Sequence, residues 1–251
     1  MDMPIMKDSM MKTLFRYLVF LPVLMLAGCG TETGNEQPQV VTTIAMISDV
    51  ASNVAGDCAQ VTPLMGPGVD PHLYEARASD IKRLRNADAI MYAGFSLEGQ
   101  MANVLEKLGS RKPSLAVGPA SFEESDLISH ADYAIDPHLW MDVGRWLQII
   151  PAVTDQLVAL APDCEAAMRE RASEYRAELE ELDKWIQDSI ASIPEEQRIL
   201  VTAHDAFGYY GLAYGIDVKG IQGISTDSEA AIADIRNMVN TVVERDVPAI
   251  F

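Results

Sequence analysis

The sequence predicts an α/β protein: two doubly wound α/β lobes bridged by one long α-helix, with the second lobe truncated. Three observations carry this expectation. From Val40 onward, apolar runs rich in β-branched residues alternate with segments of helical period, the order that builds a parallel sheet with helices on its faces. Between Pro162 and Ile193 that alternation gives way to a single unbroken pattern with apolar residues every three or four positions. Beyond Pro194 the alternation restarts.

Taken in order, "VVTTIAMI" (Val40 to Ile47) is expected to be a buried strand, with Ser48 capping a helix through about Gly56. "QVTPLM" is a short second strand. Ser79 caps the helix "DIKRLRNA", and "AIMYAG" (Ala89 to Gly94) is a strand. Leu97 to Leu108 forms a helix closed by Gly109, followed by the strand "SLAVG". In the long helix Met168, Ala172, Tyr175, Leu179, Leu182, Ile186, Ile190 and Ile193 make one apolar stripe, with charged residues between them. At 1.5 Å per residue it would be about 45 Å long, a strut against the flanking α/β segments. The second lobe opens with the strand "RILVTA", the short helix "FGYYGLAYG" and the strand "DVKGI". Thr226 and Glu229 are spaced as a capping box before a helix from Ala230 to Arg245, and "PAIF" begins a further strand.

The expected organisation is a signal at 1–28, a tether at 29–39, a first lobe at 40–161, the linking helix at 162–193 and the second lobe at 194–251. About 58 residues are few for a stable domain of this architecture, so the sequence is expected to be a fragment lacking the end of that lobe.

The first thirty residues differ from the rest. Lys7, Lys12 and Arg16 make a positive region, Tyr17 to Leu26 is an apolar run, and "LAGC" follows: a secretory signal too short to span a membrane, which takes about 20 apolar residues. Small residues followed directly by cysteine resemble the lipobox of bacterial lipoproteins, which makes Cys29 the lipid-modified first residue. The polar stretch "GTETGNEQPQ" then reads as a flexible tether. The mature chain is therefore expected outside the cytoplasm, held to the cell membrane by its lipid.

The formal charge is −18; removing residues 1–28 takes away three cations and two anions and leaves −19. A surface this acidic repels nucleic acid and anionic lipid and concentrates cations. Cys58 and Cys164 remain after processing. They lie 106 residues apart without a framework pattern or Cys-x-x-Cys spacing, so two unpaired thiols are favoured over a disulfide.

Two of the four histidines sit in identical tetrapeptides, Asp70-Pro71-His72-Leu73 and Asp136-Pro137-His138-Leu139. Proline fixes its own φ and holds the preceding aspartate extended, so each histidine leaves a stiff loop in a set direction. Stiffness lowers the entropic cost of holding an imidazole on a metal, and either aspartate could accept the second ring N–H. A single Asp-Pro is only a common turn opener. Two of them, together with His204-Asp205 directly after a buried strand, favour a shared cation in the crevice beyond the carboxyl ends of parallel strands. His130 lacks this context and reads as a surface-loop histidine. Trp140, Trp146, Tyr209 and Tyr210 read as core or interface packing.

"GPGVDPHLYEARASD", "DPHLWMDV" and "TAHDAFGYYGLAYGIDVKGIQGISTDSEA", with a long helix between and a lipobox before, closely resemble the metal-binding lipoproteins of bacterial manganese/zinc ABC importers. The resemblance implies two α/β lobes bridged by a long rigid helix, with one divalent cation between them. It implies His72, His138 and His204 as ligands, plus a carboxylate from the last third of the second lobe, which is expected beyond residue 251. It also implies a monomer that captures Mn2+ or Zn2+ and delivers it to the membrane permease subunits of an ABC importer, with no bond chemistry of its own. Dedicated zinc members carry a histidine-rich loop between the first two motifs; that interval here holds only His130, which tilts the expectation to manganese. Because the ligands must be neutral imidazoles, affinity is expected to fall as pH drops through roughly 6.5.

Two other classes compete. Three histidines and a water also make a catalytic zinc site, for which Glu75 and Asp205 are the nearby general-base candidates, although no His-Glu-x-x-His is present. The other is an adhesion or scaffold lipoprotein whose histidines are incidental.

Overall fold

A computed structural model describes residues 37–129, 135–227 and 229–251. The expected signal, Cys29, most of the expected tether and His130 lie outside the described residues.

The first lobe is built on a parallel sheet. Strand β1 (Gln39–Thr42) leads to helix α1 (Ala45–Ala55) and strand β2 (Gln60–Pro63). Helix α2 (Ala78–Asn86), strand β3 (Ala89–Tyr92), helix α3 (Ala102–Gly109) and strand β4 (Ser114–Ala116) follow, in the spatial order β2-β1-β3-β4. The chain thus winds outward from β1 to β2 and returns to build the other side from β3. That reversal puts a topological switch point at the β1/β3 boundary, where crevices form beyond the strand ends. Covered on both faces, Val40, Val41 and Thr42 are all buried.

The strand expected over 40–47 ends at Thr42. Ile44 keeps an extended backbone, and the next three apolar residues, Ala45 to Ile47, continue inside α1, which Ser48 therefore does not cap. Strand and helix are both buried here, so the apolar run crosses their boundary unbroken. Helix α2 starts one residue before Ser79; its first turn is closed by the Asp80 carboxylate, which accepts the Arg77 N–H at 2.9 Å and the Tyr74 hydroxyl at 2.7 Å.

Short helices α4 (Val117–Ser121), α5 (Val143–Trp146) and α6 (Ile150–Leu160) lead to α7 (Glu165–Ala191), a helix of 27 residues and so about 40 Å. Its first half is fastened to the first lobe. Met168, Ala172 and Tyr175 are buried, the Arg171 guanidinium donates to the Val54 and Ala55 carbonyls at 2.8 and 2.6 Å, and the Tyr175 hydroxyl donates to Asp49. Farther along the cover thins: of the expected stripe Leu182 is 41% exposed, while Leu179, Ile186, Ile190 and Ile193 are half-buried. Cys58 and Cys164 form a disulfide, contrary to the expectation of unpaired thiols. Packing α1 against the start of α7 brings their Cα atoms to 6.2 Å, a proximity that sequence separation does not reveal.

The second lobe holds the parallel pair β5 (Ile199–His204) and β6 (Asp217–Gln222), with helix α8 (Gly208–Tyr214) between them and α9 (Ile232–Glu244) after. The expected capping box does not form: α9 starts at Ile232, and the Thr226 hydroxyl bonds elsewhere. In "PAIF", Phe251 exchanges two backbone hydrogen bonds with Val201 and Ala203 of β5, as a neighbouring strand would. Helix α8 is tied back across the molecule. The Tyr214 hydroxyl donates to Asp183 on α7 at 2.7 Å and accepts the Val143 N–H at 3.2 Å.

Candidate metal centre

His72, His138 and His204 come from three separated segments and converge. Their ring centroids are 5.3, 5.4 and 6.1 Å apart, and one ligand atom from each lies within 4.8 Å of the others. The Nε2 atoms of His72 and His138 are 3.2 Å apart. Two nitrogens on a tetrahedral cation at about 2.0–2.1 Å sit roughly 3.3 Å from one another, so this pair already has ligand spacing. His204 closes the triangle from the carboxyl end of β5.

Local chain chemistry holds the rings. In both Asp-Pro-His-Leu tetrapeptides the aspartate Oδ1 accepts the backbone N–H of the histidine two residues on, at 2.9 Å in each. The same turn is therefore built twice, but the two carboxylates do different work. Asp136, fully buried, also takes the His138 Nδ1 hydrogen at 2.8 Å, fixing the tautomer and leaving Nε2 to face the centre. Asp70 does not touch its histidine's ring; its Oδ2 accepts the Thr226 hydroxyl at 2.7 Å. The other Asp136 oxygen is buried with no hydrogen-bond partner among the described residues. It faces the start of α8, where a Cβ on Gly208 would come within 3.0 Å of it, so glycine there lets the helix approach.

Burial is the first cause lowering His72, reinforced by its neighbour His138, and brings it to about 4. His204 is lowered for the same two reasons. His72 therefore stays neutral well below the ordinary histidine value near 6.5, and His204 is shifted the same way, which places the acid loss of ligand capacity lower than unperturbed imidazoles would.

The centre opens into a cavity of about 340 Å³ whose wall includes Ile44, Met46, Met65, Trp140, Phe207 and Thr226. Trp140 stacks edge-on against His138 at 5.4 Å, so it belongs to the site's wall and not to general packing alone. Tyr209 is buried; its hydroxyl donates to the Asp136 carbonyl at 2.9 Å and accepts the Ile128 N–H at 3.2 Å, with the Arg145 guanidinium 4.9 Å over its ring. Neither Glu75, which is exposed, nor Asp205 lines the cavity, so neither sits where a general base would.

Three residues were invisible as site elements in the sequence. Thr226 had a convincing helix-capping pattern, and Tyr209 looked like packing. Glu98 is a lone acid in a loop, yet it is buried at the β1/β3 switch point, accepting the Thr43 hydroxyl at 2.5 Å and the Ala93 and Gly94 N–H groups at 2.7 and 3.2 Å. Burial raises its pKa.

Known proteins place this arrangement in a family. The chain is 41% identical over 237 residues to the manganese-binding lipoprotein MntA of Bacillus subtilis, a match covering 93% of this chain and 78% of that protein. It is 43% identical over 224 residues to the zinc-binding protein TroA of Treponema pallidum, covering 89% and 72%. The solved structure of that periplasmic zinc-binding protein superposes with a TM-score of 0.83 over 86% of this chain and 77% of the other. Residues 40–251 match the family model described as zinc-uptake complex component A, periplasmic. The chain belongs to that family, whose members are solute-binding components of ABC metal importers and not enzymes.

Proposed function

We propose that this chain is a lipid-anchored, extracytoplasmic receptor that binds one divalent manganese or zinc ion through His72, His138 and His204 and delivers it to the permease of an ABC importer. The observation that carries the ligand set is the convergence of three ring nitrogens within 4.8 Å from three separated segments, one of them backed by a buried carboxylate. Two stiff Asp-Pro turns hold two of the rings before any cation arrives, so little entropy is lost on binding.

In this account residues 1–28 are removed, Cys29 carries the lipid and residues 29–39 are the tether. The lobes at 40–161 and 194–251, hinged on the helix at 162–193, act as a monomer. Of manganese and zinc, the lack of a histidine-rich loop between the first two motifs favours manganese as the physiological cargo. In a test tube zinc binds more tightly, since imidazole sites follow the Irving–Williams order. Uptake assays therefore decide the cargo. In a strain lacking the protein, the full chain should restore manganese uptake and His72→Ala should not. Calorimetry should show one zinc per chain for the unaltered protein. Binding that is unchanged in the triple His72→Ala, His138→Ala, His204→Ala variant would overturn the ligand set.

A further inference from the structure

We propose that Thr226 is the latch of the metal cleft, a positioning residue whose hydroxyl sets how long a bound cation is kept. The inference rests on the metal-binding role proposed above and concerns a residue that touches no metal.

Each of the twin tetrapeptides receives one hydroxyl hydrogen bond from beyond the long helix. Tyr209 donates to the Asp136 carbonyl at 2.9 Å, and Thr226 donates to Asp70 Oδ2 at 2.7 Å. The two joints are unequal. Tyr209 is 1% exposed, sits on a helix, accepts a second bond from Ile128 and lies under Arg145. Thr226 is half-buried, lines the cavity, and lies in the loop between β6 and α9. Nothing else described fastens its side chain; the helix-capping role its sequence suggests is not taken up. The Tyr209 joint is therefore the fixed side of the cleft, and the Thr226 joint is the side that can part.

Parting it has a direct effect on the site. The carboxylate that Thr226 holds is the one whose other oxygen shapes the His72 turn, at 2.9 Å from the His72 N–H. With the latch closed, the second lobe steadies Asp70 and so the direction of His72. With it open, His72 is free to swing from the pair it forms with His138. Hydrogen bonds to charged groups are strong enough that losing this one should speed metal release by about tenfold.

The test is stopped-flow transfer of zinc from the loaded full chain to excess chelator. Thr226→Val, which keeps the shape and removes the hydroxyl, should release zinc about tenfold faster, with the metal-free melting temperature lowered by no more than a few degrees. Thr226→Ser, which keeps the hydroxyl, should release it at close to the original rate. Release by Thr226→Val at the original rate, or by Thr226→Ser as fast as by Thr226→Val, overturns the latch. Wild-type chain that takes up no zinc, or a His72→Ala variant that holds it as tightly, overturns the metal-binding role and the latch with it. Loss of binding in His72→Ala alongside unchanged release in Thr226→Val rejects the latch alone.

Discussion

Replacing Asp136 by asparagine separates the electrostatic work of this residue from its structural work. A single oxygen, Oδ1, takes both the His138 backbone N–H at 2.9 Å and the ring Nδ1 hydrogen at 2.8 Å. The other oxygen bonds to nothing among the described residues. An asparagine can therefore keep its carbonyl on both hydrogens, with its amide nitrogen where the unpartnered oxygen was, so the turn and the tautomer persist. What is lost is the negative charge that makes the imidazole a better donor to a cation. Loss of such a supporting group typically weakens metal affinity by about 10–100-fold. That corresponds to about 1.4–2.8 kcal/mol of binding free energy. Competition against a chelator of known zinc affinity, at neutral pH, measures it directly. An Asp136→Asn variant that binds zinc as tightly as the unaltered chain would refute the assignment of Asp136 as the group that tunes His138.

Other predictions follow from the same geometry. Proton competition should be weak at His72 and reduced at His204. Three ordinary imidazoles titrating near 6.5 would together lose about a thousandfold in affinity between pH 7.5 and 5.5; this site should lose much less, and a full loss in a pH series of titrations would contradict the burial argument. Because the folded His72 titrates at about 4 and an unfolded one near 6.5, the unfolded chain binds the extra proton across that window. The metal-free protein should therefore lose stability steadily as pH falls through it, as acid titrations of urea unfolding would show. Breaking the disulfide by Cys58→Ala with Cys164→Ala should cost about 2–5 kcal/mol in urea unfolding. It should leave zinc affinity intact, since Cys58 lies past the end of α1 opposite the cavity, about 16 Å along that helix. Glu98→Ala strands three donors at the β1/β3 switch point and should cost about 3 kcal/mol or more; a near-neutral effect would show that water replaces the carboxylate.

The alternation of strands and helices, the long helix and the three histidines were all legible because each leaves a local mark: period, punctuation or a repeated tetrapeptide. Element boundaries blurred where burial is continuous, as at Thr42 to Ala45, because an apolar run carries no sign of where strand becomes helix. The disulfide was misjudged because two cysteines 106 residues apart announce nothing until α1 and α7 pack together. The two tetrapeptides could be recognised as equivalent turns, but not as unequal partners. Whether an aspartate serves a ring or a distant hydroxyl depends on what the second lobe presents to it, and Thr226 meets Asp70 across 156 residues. Glu98 was silent for a related reason: two of its donors, Ala93 and Gly94, are in its own loop, but the third, Thr43, lies just past β1, and only the sheet brings it there.

The central claim is that three imidazoles share one cation, and X-ray absorption at the zinc edge on the singly loaded full chain tests it most directly. Three histidine nitrogens at about 2.0–2.1 Å, falling to two in His204→Ala, is the predicted result. A zinc shell with no imidazole scattering, or one that the His204 substitution leaves unchanged, would contradict it.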